Sequence, residues 1–303
     1  MNAPPLSFDA LFDPAFLTRV QQFALSLDRV QKGGRLAEQT STARGQGIDF
    51  ADFRPYVAGD DLRTIDWNIY QRLGRLFVRV FEERQDMPVY FLVDVSKSMF
   101  TGESPRIAAG LRATLALAAI VLGQHDSIGL FPFSDAMTIQ TRHLSGKNNL
   151  VRAARYLADY EPGGGTALAE SIERLASMRL RRGLAVVVSD FFDEAGLDRV
   201  LPALTLLQHR VLLVQLVRPE DADPTRHPAL NGDVALEDCE TGAQVELTIT
   251  PDLLARYQQA YGAFNDRLQT SAIERGHALV RIDASRDVLD QLSTVFRGGK
   301  LAL

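Results

Sequence analysis

The sequence predicts an open, doubly wound α/β sheet with mostly parallel strands, preceded by an N-terminal helix and a small β extension. From Val89 onward, short apolar runs alternate with amphipathic stretches of helical period. The run MPVYFLVDV (87–95) is apolar up to its acid, which is typical of a central parallel strand covered on both faces. This alternation of strands and helices indicates a sheet with helices on both sides.

The composition is that of a globular protein with a sizeable core. The 303 residues suffice for one large domain with additions or for two ordinary domains, and 46% of them are apolar against 23% charged. A net charge of −5 argues against a dedicated nucleic-acid binder. The single cysteine, Cys239, excludes an internal disulfide and has no zinc-like spacing to histidines.

Two features of the sequence concern the cellular location of the protein. The first residues, MNAPPLSFDALFDPAF, have acids where a signal peptide needs lysine or arginine. The most apolar helical stretch (111–123) contains Arg112 and is too short to span a bilayer. We therefore expect a cytoplasmic protein with no membrane span.

The N-terminal part is predicted to contain a helix over 13–30, with Asp13 as its cap and Phe16, Val20 and Phe23 on its apolar face. The glycine-rich stretch 31–47 has no periodicity; its arginines either contact an anionic partner or belong to a solvated loop. Residues 74–84 alternate as a strand, which could form a small β subdomain with residues 35–57.

Between these strands, AGDD (58–61) predicts a turn in which Asp60 or Asp61 caps a short helix through Leu73. We expect Trp67 to pack under this helix. Arg54 and Arg63 lie near acids, so they either form internal ion pairs or present a surface to a partner.

The remaining chain is predicted to form the α/β domain, 88–303, with the residues up to 87 forming the helix and the extension. Strands are expected at 87–95, 126–134, 136–144, 183–192, 210–217 and 278–284. Helices are expected at 103–125, 147–160, 166–181, 196–209, 251–275 and 285–296. Two alternating runs around ETGA indicate an inserted hairpin near 233–249.

Oxygen-bearing side chains follow two of the buried strands and a glycine run. They are Asp94, Ser96 and Ser98 in VDVSKSM, Thr166 in GGGT, and Asp190 in VVVSD. Ligands of doubly wound sheets bind beyond the carboxyl ends of the strands, where the strand order reverses. Two carboxylates and three hydroxyls are hard oxygen donors of the kind that Mg²⁺ or Mn²⁺ prefers, and they leave coordination positions open.

A simpler interpretation stays open for each of these residues. Ser98 could cap the following helix, Thr166 could cap its own helix, and Asp190 could begin a turn. Asp193 and Glu194 are interpreted as turn and helix-start residues rather than ligands.

The five residues resemble the metal-ion-dependent adhesion site of von Willebrand factor A domains. All five positions of that motif have a match here, in three loops in the expected order. The resemblance implies a Rossmann-type fold in which the serines and the threonine bind the metal directly or nearly so, while the aspartates often act through water.

Residues 45–99 are similar to a second pattern, that of the bacterial and archaeal domain-of-unknown-function family fifty-eight. The matching residues are Arg54, Tyr56, Gly59, Asp60, Asp61, Arg63, Ile65, Asp66 and Trp67. The resemblance implies a cation-dependent adaptor of a MoxR-type AAA+ ATPase, with a chaperone-like role or a role in the maturation of proteins or metal centres. An acidic residue of the ATPase or its client would complete the metal shell.

The hypothesis that the protein is an enzyme has weaker support than the hypothesis of an interaction module. A metal-dependent phosphohydrolase acting through Asp94 is the alternative, but the position of the second acid is occupied by Ser96, which cannot serve as general acid and base. GGGTAL lacks the Gly-Lys-Ser/Thr of a P-loop, and no dinucleotide-binding fingerprint follows the first strand. An extracellular adhesion role is disfavoured by the missing signal peptide and disulfides. We therefore expect a non-enzymatic interaction module.

Overall fold

The computed structural model describes residues 7–34, 49–82, 87–102, 104–226 and 232–297. Contacts between Cα atoms divide the chain into two units, a small one of residues 33–86 and a large one formed by the rest. The loop predicted at 31–47 lies outside the described residues beyond Gly34, and residues up to Gly34 continue a helix.

The helices, in chain order, have the following bounds: α1 Phe8–Leu11, α2 Pro14–Gly34, α3 Trp67–Leu73, α4 Arg106–Gly123, α5 Leu150–Ala158, α6 Leu168–Ser177, α7 Leu197–Leu204, α8 Pro219–Ala222, α9 Pro251–Glu274 and α10 Val288–Arg297. The strands are β1 Asp49–Pro55, β2 Phe77–Glu82, β3 Pro88–Asp94, β4 Ser127–Phe133, β5 Thr141–Ser145, β6 Leu184–Ser189, β7 Arg210–Val217, β8 Gly232–Glu237, β9 Gln244–Ile249 and β10 Ala278–Asp283.

The centre of the large unit is a six-stranded sheet with the strand order β10-β7-β6-β3-β4-β5. All neighbouring strands are parallel except β4 and β5, which are antiparallel. Every residue of β3, β4 and β6 is buried, as their continuous apolar runs predict. The prediction of a mostly parallel α/β sheet is therefore confirmed.

Helices cover both faces of this sheet. One apolar core joins the sheet to α1, α2, α4, α5 and α10, and a second core on the other face joins it to α6, α7 and α9. The N-terminal helix is predicted to belong with the residues up to 87, whereas its stripe of Phe16, Val20 and Phe23 packs into the first core of the large unit. The Asp13 carboxylate caps α2 as predicted, since it accepts a 2.9 Å hydrogen bond from the Phe16 amide.

The strand predicted at 136–144 is shorter than expected. Residues 136–140 do not form a ladder, and β5 begins only at Thr141. Pro132 in β4 has no N–H group to donate, so the antiparallel pairing stops near Leu130. Beyond that point, Met137 forms an isolated bridge with Phe133.

Helix α9 buries less of its apolar stripe than its sequence predicts. Leu268 is fully buried, whereas Leu253 and Tyr257 near the start of the helix are exposed. The 24 residues of α9 extend about 36 Å, whereas the six residues of the neighbouring β10 extend only about 20 Å. The sheet is therefore too short to cover the whole helix.

The small unit contains an antiparallel pair formed by β1 and β2, in agreement with the predicted β extension. Asp61 caps a single 3₁₀ turn, and Asp66 caps α3 by accepting hydrogen bonds from two amides of its first turn. The Arg54 guanidinium donates to both carboxylate oxygens of Asp60, at 2.7 and 2.6 Å, so the internal ion pair exists. Trp67 does not pack under α3, so that prediction is wrong: its side chain is exposed.

Helix α4 is long enough and apolar enough to cross a membrane, as judged by its length and composition alone. It is 83% buried within the large unit, where it packs between the sheet and neighbouring helices. A buried core helix has the same composition, so the expectation of no membrane span stays a prediction.

Candidate metal centre

The predicted site lies at the point where the strand order reverses. Strand β3 has β4 on one side and β6 on the other, so the chain leaves β3 in one direction and later returns on the opposite side. Asp94 is the last residue of β3, and Asp190 directly follows β6. Both side chains therefore lie at the crevice where doubly wound sheets bind ligands.

The first loop carries Asp94, Ser96 and Ser98. Oδ1 of Asp94 accepts a 3.0 Å hydrogen bond from the Ser96 amide, which turns the chain sharply after the strand. The hydroxyls of Ser96 and Ser98 lie 3.0 Å apart. Asp94 and Ser96 are completely buried, whereas the intervening Lys97 is exposed. The alternation of residue types thus brings oxygen atoms to one side of the loop.

The second loop is the glycine run 163–165, which is held directly against the first. The Gly163 amide donates to the Val95 carbonyl at 2.8 Å, and the Lys97 amide donates to the Gly164 carbonyl at 3.2 Å. A Cβ atom at Gly163 would collide with the Ser134 side chain, so the close approach requires glycine there. The glycines therefore allow Thr166 to reach the carboxyl edge of the sheet.

Thr166 does not cap the helix that follows it. The amides of Leu168 and Ala169 at the start of α6 donate instead to Oδ2 of Asp193, at 2.8 and 3.3 Å. The Thr166 hydroxyl donates to Oε1 of Glu240 at 2.9 Å. The capping interpretation of Thr166 is therefore wrong, and its hydroxyl belongs to the cluster of polar groups at the sheet edge.

Ser98 is not a helix cap either. Its hydroxyl pairs with that of Ser96, and α4 begins after Pro105 without a side-chain cap. Asp193, by contrast, closes a turn through the Ala195 amide as well as capping α6. The interpretation of Asp193 as a turn residue is confirmed, although the helix that it caps is a distant one.

The third loop holds Asp190 in a strained turn. Phe191 is buried and has a φ angle of 66°, a left-handed conformation that costs a bulky residue of order 1–3 kcal/mol. The Phe191 amide donates to the Ser189 hydroxyl, and the Phe192 amide donates to Oδ1 of Asp190 at 3.0 Å. Asp190 therefore does form the expected turn, but only one of its carboxylate oxygens is used for it.

The two aspartates are buried close enough to affect each other. Burial, and after it the charge of Asp190, raises the pKa of Asp94 to about 7. Burial also raises the pKa of Asp190, and the charge of Arg106 acts in the opposite direction. Burying two carboxylates together is costly unless positive charge accompanies them.

Arg106 supplies part of that positive charge. Its guanidinium is almost fully buried, with Nη1 3.6 Å from Oδ2 of Asp190 and Nη2 2.6 Å from Oδ1 of Asp221. Asp221 is also paired with Arg218, whose amide and guanidinium both contact its carboxylate. These residues form a buried ionic network directly beside Asp190.

The formal charges of this region do not balance. The buried and half-buried charged groups are those of Asp94, Asp190, Asp221, Glu240, Arg106 and Arg218, and the exposed Asp135 accepts from the Gly165 amide beside them. With all four buried or half-buried carboxylates ionised, these groups carry two net negative charges, which accords with the raised pKa of Asp94. One divalent cation would balance them, and the hard oxygen donors present suit Mg²⁺ or Mn²⁺.

The five predicted residues are thus connected at one place. Asp94 contacts Ser96, which contacts Ser98; Asp94 and Asp190 interact through their charges; and Thr166 and Asp190 are both near Glu240. No group of three or more His, Cys, Asp or Glu side chains is arranged to hold a metal ion in the described part of the chain. Metal binding by this set would therefore depend on its hydroxyls.

Four supporting residues are not among the predicted site residues: Ser189, Arg106, Asp221 and Glu240. Ser189 had a local signal, because it directly precedes Asp190 at the end of a strand. Its hydroxyl donates a 2.6 Å hydrogen bond to Oδ2 of Asp94. Asp221 and Glu240 are far from the motif in sequence, and Arg106, although close to Ser98, is brought to Asp190 and Asp221 only by the fold.

The fold and the site together define a doubly wound α/β protein with a largely buried cluster of oxygen-bearing side chains at its switch point. Residues 52–266 match the family described as "Protein of unknown function DUF58", and the chain belongs to this family.

The chain is also similar to individual proteins. The chain is 24% identical over 294 residues to uncharacterized proteins of Mycobacterium bovis and Mycobacterium tuberculosis, covering 95% of this chain and 91% of each relative. A stretch of 120 residues is 32% identical to an uncharacterized protein of Mycobacterium avium, covering 40% of this chain and 68% of that relative.

Two solved structures are similar at lower levels. The conserved hypothetical protein BatB from Bacteroides thetaiotaomicron has 14% identity and a TM-score of 0.39, covering 70% of this chain and 99% of that one. An aerotolerance-related membrane protein from Bacteroides fragilis has 14% identity and a TM-score of 0.42, covering 71% of this chain and 100% of that one. Nothing about function follows from similarity at this level.

Proposed function

We propose that this protein is a non-enzymatic interaction module that depends on a divalent cation. The observation that carries the proposal is the pair of buried carboxylates at the switch point, Asp94 and Asp190, beside hydroxyls that cap no helix. Ser96, Ser98 and Thr166 would hold Mg²⁺ or Mn²⁺, and Asp94 and Asp190 would act on it through water, as the resemblance implies. A bound cation would supply positive charge and open coordination for an oxygen anion.

The buried network supports this role. The Ser189 hydroxyl orients Asp94, and Arg106 contacts Asp190, so each aspartate has a partner that fixes its position. Preorganised ligands of this kind favour a cation without a rearrangement of the loops. A carboxylate offered by another protein would then be recognised by charge and by coordination geometry.

The proposed partner is taken from the two family resemblances. Similarity to von Willebrand factor A domains suggests recognition of an acidic residue, and the family resemblance suggests an adaptor of a MoxR-type AAA+ ATPase. The acidic residue would come from the ATPase or its client, in a chaperone-like role or in the maturation of proteins or metal centres. The partner and the role are thus assigned by analogy with these two families.

A phosphohydrolase acting through Asp94 has less support. Asp94 is completely buried, and its two carboxylate oxygens accept hydrogen bonds from the Ser96 amide and the Ser189 hydroxyl. A nucleophile needs an accessible oxygen and a nearby general acid, and Ser96 occupies the position where that acid would stand.

Calorimetric titration of metal-stripped protein with Mg²⁺ and Mn²⁺ tests the proposal. The wild type should bind saturably, Asp190→Ala should lose binding, and Asp266→Ala should retain it, because Asp266 is an exposed acid on α9. Far-UV circular dichroism shows whether each variant is folded. Failure of the folded wild type to bind either ion would overturn the proposal.

Association is tested with a MoxR-type ATPase in a pull-down with Mg²⁺ or with chelator. Asp94→Ala and Ser96→Ala should each abolish the metal-dependent association while leaving the fold largely intact. Binding that persists unchanged in chelator and in both variants would contradict the mechanism.

A further inference from the structure

The hairpin formed by β8 and β9 extends one residue into the candidate site. These two strands pair with each other and with no other strand of the described chain, and most of their residues are exposed. At the tip of the hairpin, Glu240 is half-buried while its neighbours on both sides are exposed. Burial of a single charged tip residue indicates a specific contact.

That contact is made with the second loop of the site. Oε1 of Glu240 accepts the 2.9 Å hydrogen bond from the Thr166 hydroxyl, and Oε2 lies 3.4 Å from the position that a Cβ atom on Gly165 would occupy. Burial raises the pKa of Asp190, and the charge of Glu240 acts in the same direction. The Glu240 carboxylate is therefore near two of the proposed metal ligands.

A second tip residue, Cys239, is exposed and lies near the end of the first loop. Burial raises the pKa of its thiol, and the nearby Thr101 acts in the opposite direction. Thr101 follows Ser98 closely, and its own hydroxyl donates to the Ser98 carbonyl at 2.8 Å. The hairpin tip thus bonds to the second loop and lies close to the residues that follow the first.

The turn at the tip fixes where Glu240 points without using its side chain. Oδ1 of Asp238 accepts hydrogen bonds from the Glu240 amide at 2.8 Å and from the Thr241 amide at 3.3 Å. Gly242 has a φ angle of 73° and donates its amide to the Asp238 carbonyl. The Glu240 carboxylate is free for the site because the backbone and Asp238 close the turn.

We propose that Glu240 is the internal acidic ligand of this site, occupying the position that a carboxylate of a partner would take. This inference rests on the proposed function and names how the site is regulated. A partner that presents an acidic residue must displace the hairpin tip before it reaches the cation. The hairpin therefore sets the affinity of the site for acidic ligands, because a position occupied in the free protein lowers the apparent affinity by the fraction of open molecules.

The test uses Mn²⁺ bound to the full chain, with acetate as the carboxylate probe. Water-proton relaxation reports how many water molecules coordinate the ion. Glu240→Ala should gain about one coordinated water relative to the wild type, and acetate should then displace water at a concentration at least about tenfold lower. Glu240→Gln removes the charge but keeps an acceptor for the Thr166 hydroxyl, so an intermediate response is expected.

Glu246→Ala is the matched control, since it removes an exposed acid from β9 of the same hairpin and should behave as the wild type. Circular dichroism and thermal unfolding establish that the variants are folded. Equal water counts and equal acetate dependence in Glu240→Ala and the wild type, with Mn²⁺ bound to both, would overturn the inference and leave the proposed function standing. A folded wild type that binds no Mn²⁺ would overturn both.

Discussion

The Ser189 hydroxyl donates a 2.6 Å hydrogen bond to Oδ2 of Asp94, joining residues 95 positions apart in the sequence. The same hydroxyl accepts a 2.9 Å hydrogen bond from the Phe191 amide. Ser189 therefore links the end of β3 to the strained turn that presents Asp190. Neither contact is exposed to solvent.

Ser189→Ala should weaken both the fold and the site. It leaves two buried polar groups without a partner, so we expect the free energy of unfolding to fall by about 1–3 kcal/mol. Mg²⁺ affinity should fall by about tenfold or more, because Asp94 loses the group that orients it. Urea denaturation and calorimetry measure the two effects.

The control for this change is Ser177→Ala, which removes an exposed serine hydroxyl whose partner is the Arg174 carbonyl. Its effect on stability should stay within about 0.5 kcal/mol. Equal effects of the two substitutions would contradict the role assigned to Ser189.

Thr166 and Asp193 allow ligand binding to be separated from helix capping. Thr166→Val keeps the shape of the side chain and the cap of α6, so we expect loss of Mg²⁺ binding with little loss of stability. Asp193→Ala removes the cap, so we expect a loss of about 1 kcal/mol in stability with Mg²⁺ binding retained. Calorimetry and urea denaturation of both variants measure these outcomes, and the reverse pattern would show that Thr166 is structural.

The stability of the metal-free protein should depend on pH through Asp94. The pKa of this carboxyl is raised from 3.8 to about 7 in the folded state by burial and then by the charge of Asp190. The folded state thus binds the proton more tightly than the unfolded state does. Asp94 contributes stability below pH 3.8 that is lost as the pH rises to about 7.

Urea denaturation in chelator between about pH 4 and pH 8 measures this contribution. The stability of the wild type relative to Asp94→Asn should fall across that range, and Mg²⁺ should restore stability to the wild type at the upper end. Parallel pH curves for the two proteins would contradict the assignment of this titration to Asp94.

Trp67 provides a test of the small unit. Its side chain is 58% exposed and lies edge-to-face with Tyr70, with 6.1 Å between the ring centroids. Since it is the single tryptophan, its fluorescence should be quenched by acrylamide and iodide almost as strongly as that of a free tryptophan derivative. Strong protection of the native protein from both quenchers would show that Trp67 is covered.

The central sheet could be predicted because local patterns determine it. A strand buried on both faces needs an unbroken apolar run, and β3 and β6 each have one. The strand-end positions of Asp94 and Asp190 followed from the same runs, since parallel strands end at a common edge. The placement of these acids at one crevice therefore required no knowledge of distant contacts.

Other features could not be predicted because they depend on contacts between distant segments. Glu240 lies at the tip of a polar hairpin, and nothing in its local sequence indicates which surface the tip contacts. Arg106 has the ordinary appearance of a first-turn helix residue, although the fold buries it between Asp190 and Asp221. The error at Trp67 has another cause, since many large apolar side chains remain exposed on folded proteins.

The linkage between Ser189 and Asp94 also has a consequence for synthesis of the chain on the ribosome. Asp94 emerges early, but the hydroxyl that orients it, and the adjoining Asp190, are added 95 and 96 positions later. A nascent chain that has completed only β3 and β4 cannot contain the linked aspartates. Capture of a cation by both carboxylates would therefore mark the moment at which β6 has joined the growing sheet.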